Sequence, residues 1–249
     1  MAAIGAQLAA LPRKHGVQPT DVVLSLDSLA EAYPLTVTLA GIYAGASVAL
    51  LSAAGGSKVD FDIAFAAKGL NPSIIIASSE TMARAHANKT AGAQDILSKL
   101  KHNSHSRSLA SGTMKLVDEV PNRPFSRLVY VSETPSWKES VPLTAAELND
   151  LRILTRSRII YSLVIPEVAG AVAQTHMLDY RLDPSTGKRS HFGPPLTSVE
   201  VKLVDAATAK ITNDSVKGEL VVKGPSVIGN ELRTGLIATM RDDGTLALA

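Results

Sequence analysis

The chain has 249 residues and a formal net charge of +2; 45% of the residues are hydrophobic, 19% charged, 4% aromatic and none is cysteine. This composition suits a globular chain with one large core or two small ones, and it excludes a disordered chain, disulfides, thiolate nucleophiles and cysteine-bound metal. Near-neutral charge with dispersed basic residues argues against a nucleic-acid partner, and the lack of cysteine fits a reducing, intracellular compartment.

The N-terminal quarter raises two questions of targeting. Residues 1–15 are rich in alanine and lack acidic side chains, which fits either a small-residue helix ended by Pro12 or a mitochondrial transit peptide. Residues 32–57 carry no charge and are long enough to cross a membrane. Because Pro34, a glycine break and a strand-like run at 46–51 interrupt this stretch, we expect a helix and a buried strand, with no transmembrane span.

Strand and helix patterns alternate through the first 180 residues. The predicted strands are 22–26, 47–51, 73–77, 127–131 and 158–161. The predicted helices are about 29–43, 60–68, 80 to about 101, and one beginning near 145. Ser79 is predicted to cap the third helix, and Thr144 with Glu147 forms a capping box for the fourth. The alternation predicts an α/β fold with a mostly parallel, helix-flanked sheet.

The pattern changes after residue 180. Short alternating strands are predicted at 199–204, 219–223, 236–240 and 245–248, with turn residues between them. Such spacing is typical of a small antiparallel sheet or barrel. We therefore expect an α/β part at 1–180 and a β-rich subdomain at 181–249.

Whole segments are more informative than any single motif, because the chain has no G-x-S-x-G elbow, no G-x-x-x-x-G-K loop and no G-x-G-x-x-G fingerprint. The segments and the patterns they resemble are 24–31 with L-S-Y-L-P-L-A-H, 71–80 with P-T-x-x-x-x-V-P-x, 142–148 with P-L-S-x-E-L, 193–205 with G-x-P-x-x-x-x-E-x-x-x-x-D, 218–225 with G-E-L-x-x-x-G-P, and 234–246 with T-G-D…D-x-D-G-x-L. In this order they resemble the adenylate-forming (AMP-binding) superfamily, and the upstream ones its long-chain fatty acid–CoA ligases. The resemblance implies a partial adenylate-forming-enzyme fold.

The resemblance also implies a reaction and its participants. Complete family members activate a fatty acid with Mg²⁺ and ATP, releasing AMP, and pass the acyl group to CoA. It assigns Glu167 as the catalytic, magnesium-binding glutamate of Y-G-x-T-E, Tyr161 as the residue facing adenine, and Thr234 and Gly235 as the lining of the nucleotide pocket. The Tyr–Glu spacing is two residues too long: alignment on Tyr161 puts Ile165 at the Glu position, whereas alignment on 168–170 keeps Glu167. A surface or helix-capping role for Glu167 is the alternative.

Several departures from the family pattern bear on activity. The phosphate loop and the C-terminal lid domain have no counterpart in the sequence, Leu236 replaces the ribose-binding Asp, Glu31 replaces the His of P-L-A-H, and 132–137 replaces the Gly-rich strand of the acyl pocket. We therefore expect an internal fragment that binds an acyl ligand but does not complete ligation alone. The alternatives are a non-catalytic binding or regulatory protein and a gene with wrongly assigned ends. The expected location is the cytoplasm or the face of an organelle membrane, with mitochondrial import as a further option.

Overall fold

A computed structural model of the protein describes residues 1–50, 70–92, 104–109, 126–135, 142–181, 190–206, 209, 211 and 216–249. The predicted helix at 60–68 lies outside these residues, as does the predicted third helix beyond residue 92. The helices are α1 (Ala2–Ala9), α2 (Ala32–Tyr43), α3 (Ser79–Gly92) and α4 (Ala145–Thr155). A 3₁₀ turn at Arg13–His15 and a helical turn at 104–109 accompany them.

Within the described residues, six strands form the first sheet, in the order β2-β1-β3-β4-β5-β6. They are β1 (Val22–Ser25), β2 (Ser47–Leu50), β3 (Ile74–Ser78), β4 (Leu128–Glu133), β5 (Arg158–Val164) and β6 (Ala171–Gln174). The first five run parallel, and only β6 is antiparallel to its neighbour, β5. The predicted α/β class and the mostly parallel sheet are therefore confirmed.

The two faces of this sheet are covered by separate apolar clusters. Alternate residues of a strand point to opposite faces, and Val129, Val131 and Tyr161 accordingly join the larger cluster while Leu128 and Tyr130 join the smaller one. Continuous burial along β3, β4 and β5 explains why these strands read as uninterrupted hydrophobic runs.

The helix ends follow local side-chain chemistry. Thr144 Oγ1 accepts a hydrogen bond from Glu147 N, and Glu147 Oε2 accepts one from Thr144 N, so the predicted capping box is confirmed. The predicted cap at Ser79 is wrong by one residue, because Ser78 Oγ accepts from Thr81 N and Ser79 is already helical. The second helix begins at Ala32 rather than near residue 29, since a turn in which Glu31 N donates to Ser28 O precedes it.

The uncharged stretch from residue 32 is divided by a turn. Helix α2 ends at Tyr43, Gly45 adopts φ +83°, and β2 follows at Ser47. Pro34 lies in the first turn of α2, where its missing N–H removes no helical hydrogen bond. Among the helices that the structure describes, none is both long enough and apolar enough to cross a membrane.

Four further strands of the described part of the chain form the second sheet, in the order β10-β9-β8-β7, and their pairings are antiparallel. They are β7 (Glu200–Val204), β8 (Lys217–Lys223), β9 (Glu231–Met240) and β10 (Leu246–Leu248), which confirms the predicted small antiparallel sheet. Leu220, Val222 and Leu246 belong to the larger cluster of the first sheet, so one core is shared by residues on both sides of position 180.

Gly193 joins the two sheets at a point of close backbone approach. Its φ is +76°, and a Cβ there would lie 2.1 Å from Gln174 O on β6. Its carbonyl accepts a hydrogen bond from Leu246 N on β10. Only glycine fits this position, which gives a physical reason for the first glycine of the 193–205 segment.

Candidate functional site at the carboxyl edge of the sheet

Four of the five described parallel strands, all except β2, have a polar residue at or just beyond their carboxyl ends, at one edge of the first sheet. Asp27 follows β1, Ser78 ends β3, Glu133 ends β4, and Glu167 follows β5. In α/β proteins ligands bind in the crevice outside the carboxyl ends of the strands. This edge is therefore the candidate site.

Glu133 and Tyr161 form a buried hydrogen-bonded unit at this edge. Their relative exposures are 1% and 0%. The Tyr161 hydroxyl donates to Glu133 Oε2 at 2.9 Å and accepts from Leu143 N at 3.0 Å. Burial, and after it the nearby Glu133 carboxylate, raises the pKa of Tyr161 well above its usual value, so the phenol keeps its proton and remains a donor. Glu133 Oε1 has no hydrogen-bond partner among the described residues.

The ring of Tyr161 is also occupied. It stacks on Phe192 with centroids 4.9 Å apart and an interplanar angle of 25°, and its backbone N–H donates to Thr175 Oγ1. None of its hydrogen bonds goes to Glu167, Thr234 or Gly235. The predicted contact of Tyr161 with adenine stays a prediction. In the structure the ring packs against Phe192, and the hydroxyl is hydrogen-bonded to Glu133.

Asp27 is a second carboxylate at the edge. Burial, together with the charge of Glu31, raises the pKa of Asp27 to about 6. Arg84 lowers this pKa and Glu80 raises it further. The Oδ2 atom of Asp27 is buried and has no hydrogen-bond partner among the described residues. The corner between β1 and β3 thus holds an acid that is protonated more readily than an ordinary aspartate.

Glu167 is held by its backbone while its side chain is exposed. Its carbonyl accepts from Ile228 N at 3.0 Å, and the neighbouring Val168 forms a β-bridge with Val227. The residue lies in the turn between β5 and β6, so it caps no helix. No described residue pairs with its carboxylate. A well-positioned, solvated carboxylate of this kind suits a Mg²⁺ ion, which binds through one or two carboxylates plus phosphate oxygens and water.

Thr234 and Gly235 form an irregularity in β9. The register with β8 shifts between Glu219 and Val221, and Gly235 has φ +69°. Thr234 Oγ1 donates to Leu220 O at 2.8 Å and accepts from Leu236 N at 3.1 Å. Both hydrogen-bonding roles of the hydroxyl are therefore used within the sheet. The side chain of Leu236 has no atom that could accept a hydrogen bond from a ribose hydroxyl. Residues 234–236 therefore offer no free side-chain acceptor for the ribose of a nucleotide.

The structure joins the predicted site residues only in part. Glu167 contacts the loop between β8 and β9, and Thr234 and Gly235 lie further along β9 on the same hairpin. Tyr161 instead forms a hydrogen bond with Glu133, a residue for which the sequence analysis predicts no role in the site. The available signal was a charged residue that ends the apolar run at 128–131, directly after Ser132.

A sequence model of the AMP-binding enzyme family matches residues 2–229. The match covers most of the chain, and the chain therefore belongs to the AMP-binding enzyme family. A comparison with curated protein sequences finds no significant match.

Solved structures of this fold cover nearly all of the chain. The anthranilate CoA ligase AuaEII in complex with anthranoyl-AMP has a TM-score of 0.65 and 18% identity, over 99% of this chain and 42% of its own. The O-succinylbenzoate coenzyme A synthetase MenE of Bacillus subtilis, in complex with ATP and magnesium ion, has a TM-score of 0.61 and 15% identity. The match covers 100% of this chain and 45% of MenE. The N-terminal domain of FACL13 of Mycobacterium tuberculosis has a TM-score of 0.62 and 12% identity. The match covers 99% of this chain and 54% of that domain's chain. At these identities the likeness shows the fold alone, and the chain spans about half the length of these proteins.

Proposed function

We propose that the protein is an acyl- and nucleotide-binding member of the AMP-binding family, related to acyl-CoA ligases, that does not complete acyl-CoA formation by itself. The match of the family model over 2–229 supports the first part. Two of the structural neighbours are named as coenzyme A ligases or synthetases, and one of them holds ATP and magnesium ion. The acid that is activated would be a fatty acid or another acyl group, with CoA as the acceptor.

Glu167 is the proposed magnesium ligand. Its carboxylate is exposed and free of described partners, so it can approach a metal-bound triphosphate without breaking an existing contact. A bound Mg²⁺ would neutralise charge on the phosphate oxygens during adenylation. Thr234 and Gly235 would lie beside the nucleotide through backbone contacts, since the Thr234 hydroxyl is already used within the sheet.

The proposed lack of turnover rests on residues present in the chain. Adenylation needs several charges around the phosphates, because electrostatic stabilisation supplies most of the catalysis in phosphoryl chemistry. The carboxyl edge instead offers the acids Asp27, Glu133 and Glu167. At the family's ribose-binding position stands Leu236, which has no acceptor. These features favour a binding or regulatory role over catalysis.

Binding and turnover can be measured on the same purified chain. We expect Mg-ATP or AMP to raise the melting temperature, and no measurable acyl-CoA to form from palmitate, ATP and CoA. Substantial acyl-CoA formation that disappears in Glu167→Ala would overturn the proposed incapacity. Absence of any nucleotide effect on melting would overturn nucleotide binding.

A further inference from the structure

Helix α2 exposes an apolar surface and keeps its polar side chains inside. Thr36 and Thr38 are buried. Every exposed side chain of the helix is apolar, and these side chains belong to Leu35, Leu39, Ile42 and Tyr43. Their spacing of three to four residues places them on one stripe of the helix. Because a helix that is apolar on all sides is normally covered on all sides, this stripe calls for a partner.

Strand β2 extends the apolar surface and forms one edge of the first sheet. It pairs with β1, and its outer backbone groups have no partner among the described residues. Leu50 is 66% exposed and lies on the same strand face as Val48. Val48 packs against the smaller apolar cluster, which includes Val37 of α2. Leu50 therefore lies on the face of the sheet that α2 covers, and it forms the α2–β2 surface together with the four exposed residues of α2.

The α2–β2 surface lacks the features that keep an exposed strand from pairing with another chain. Residues 32–50 contain no charged side chain, and β2 contains neither proline nor lysine. Charged residues, proline and bulges are the usual protection of an edge strand. A surface without charge can also meet its own copy without repulsion between like charges.

The backbone of β2 distinguishes a second protein chain from a lipid surface as the partner. Hydrocarbon offers no hydrogen-bonding group, so an edge strand placed against lipid would keep its outer N–H and C=O groups unpaired. A second β2 running antiparallel supplies partners to both strands at once. Two identical antiparallel strands are related by a two-fold axis, which is the commonest symmetry of protein dimers.

The same axis would bring the two α2 helices to packing distance. With the axis perpendicular to the sheet, both helices remain on one face of the joined sheet. Helix α2 contacts β1 and β2 more than β3. Since strands lie about 4.8 Å apart, a helix above the boundary of β1 and β2 is roughly 5 Å from the axis. The two helix axes are then about 10 Å apart, at the upper end of the range for packed helices.

We propose that two copies of this chain form a two-fold dimer through the α2–β2 surface, with β2 antiparallel to β2 of the second copy. A register with Ala49 on the axis sets Val48 opposite Leu50 of the second copy, on the face that α2 covers. The dimer pairs the outer groups of β2 and covers the apolar stripe. It goes beyond the proposed binding function, and its test requires no nucleotide.

The mass of the purified chain in solution is the first measurement. Gel filtration with light scattering is expected to give twice the 26.1 kDa of one chain, falling toward one chain on dilution. Ile42→Lys and Leu50→Lys each place like charges near the axis, so each should weaken dimerisation roughly tenfold or more. Ile228→Lys is the matched control and should keep the dimer, since Ile228 is an exposed apolar residue between β8 and β9. Circular dichroism checks that all three variants fold.

A single introduced cysteine tests the register. The chain has no cysteine of its own, so Ala49→Cys provides one thiol per copy. Directly opposite Cα atoms of an antiparallel pair are about 4.5–5.5 Å apart, within the range that a disulfide spans. Oxidation with diamide is expected to convert Ala49→Cys into a covalent dimer on a non-reducing gel. Ile228→Cys, in its exposed loop, should stay largely as single chains under the same conditions.

Several results would overturn the dimer. These are a single-chain mass for the wild-type protein at every concentration, assembly into larger species without a dimer, and a dimer that persists in both lysine variants. Failure of Ala49→Cys to cross-link overturns the pairing of β2. Binding of single chains to phosphatidylcholine vesicles, lost in Leu50→Lys, assigns the surface to lipid and overturns the proposal as well. Nucleotide effects on melting are measured separately, so the proposed function and the dimer can fail independently.

Discussion

The Asp21–Arg127 pair at the amino edge of the six-stranded sheet and the acids Asp27 and Glu133 at its carboxyl edge differ in how their buried carboxylate oxygens are hydrogen-bonded. At the amino edge, Asp21 Oδ1 accepts from Arg127 Nε at 2.9 Å and from Ser73 Oγ at 2.6 Å, and its Oδ2 accepts from Gln18 N at 2.8 Å. Arg127 Nη2 donates to Asp21 Oδ2 and to the carbonyl of Gly16, and Arg127 Nη1 donates to the carbonyl of His15. At the carboxyl edge, Glu133 Oε1 and Asp27 Oδ2 are buried without a partner among the described residues.

This difference suits two roles within one sheet: the amino edge stabilises the fold, and the carboxyl edge is the candidate binding site. The amino edge holds a buried ion pair in which both carboxylate oxygens of Asp21 and all three guanidinium nitrogens of Arg127 are hydrogen-bonded, and loss of one member leaves an uncompensated charge. The unpaired acceptors at the carboxyl edge weaken the fold, because a buried acceptor without a partner has lost its hydrogen bonds to water. Strained or unsatisfied groups persist where the surrounding structure holds them for a task.

The largest effect is expected when the amino edge is broken. Arg127→Ala leaves Asp21 buried, 4% exposed, without its cation, and should lower the free energy of unfolding by about 3–5 kcal/mol. Urea denaturation at pH 7 measures this change. Arg233→Ala is the control: Arg233 and Glu219 pair on the exposed face of the second sheet, so that variant should unfold close to the wild-type midpoint. A similar loss in both variants would remove the distinction between a structural edge and the rest of the surface.

The second effect concerns pH. Burial raises the pKa of Asp27 to about 6 from its usual 3.8, so the folded state takes up a proton more readily than the unfolded chain. This group therefore destabilises the fold above pH 6, by on the order of 3 kcal/mol, and the penalty fades as pH falls toward 4. Asp27→Asn should raise the unfolding midpoint at pH 7 and reduce the gain in stability between pH 7 and 4.

In the same experiment, the pH dependence of stability that Asp21 contributes is expected to be opposite to that of Asp27. Burial alone would raise its pKa, but hydrogen bonds from Arg127 and Ser73 outweigh burial and hold the pKa below its usual value. Its stabilising contribution is present above pH 4 and is lost as pH falls through the lowered pKa. Asp21→Asn should therefore reduce stability at pH 7. If both asparagine variants shift the midpoint in the same direction, the two edges do not differ electrostatically.

The fold could be predicted largely from the sequence because its signals are local. The run Ile74-Ile75-Ile76 is a buried parallel strand by composition, and the Thr144–Glu147 capping box is fixed by four consecutive residues. Strand β6, Ala171–Gln174, was missed since its short side chains give no strong β signal. It is held by pairing with β5 and by Leu196 N donating to Val172 O, contacts that no local pattern encodes.

Less of the candidate site than of the fold could be predicted from the sequence. Glu167, Thr234 and Gly235 came from a resemblance in motif order, and their proposed roles remain predictions. Glu133 was noted only as a departure from a glycine-rich strand. The structure shows that Glu133 accepts a hydrogen bond from Tyr161, 28 residues away in sequence, and that its other carboxylate oxygen has no partner among the described residues. Sequence patterns report which residues are present, whereas hydrogen-bond satisfaction appears only after the strands have been placed side by side.

A third test measures the coupling inside the carboxyl edge. Tyr161→Phe removes the hydroxyl that joins Glu133 to Leu143 N, and should lower the free energy of unfolding by about 1–2 kcal/mol. In a Glu133→Leu background the loss should be smaller, because one of the two hydrogen bonds no longer exists. Tyr33→Phe is the control. The buried hydroxyl of Tyr33 forms a hydrogen bond with Ser162, the residue after Tyr161, on the opposite face of the sheet, so the effect of this substitution should be independent of Glu133. Equal losses in both backgrounds would show that Tyr161 does not orient the carboxylate.

The smallest effect on folding, and the most specific effect on binding, is expected at Glu167. Its exposed carboxylate has no described partner, so Glu167→Gln should change the free energy of unfolding by no more than about 0.5 kcal/mol. The same variant should lose the extra thermal stabilisation that Mg-ATP gives over ATP with EDTA, because the amide is a poor magnesium ligand. Glu231→Gln should retain that difference. A magnesium effect that persists in Glu167→Gln would place the metal elsewhere, and a large drop in stability would show that Glu167 belongs to the structural part of the molecule after all.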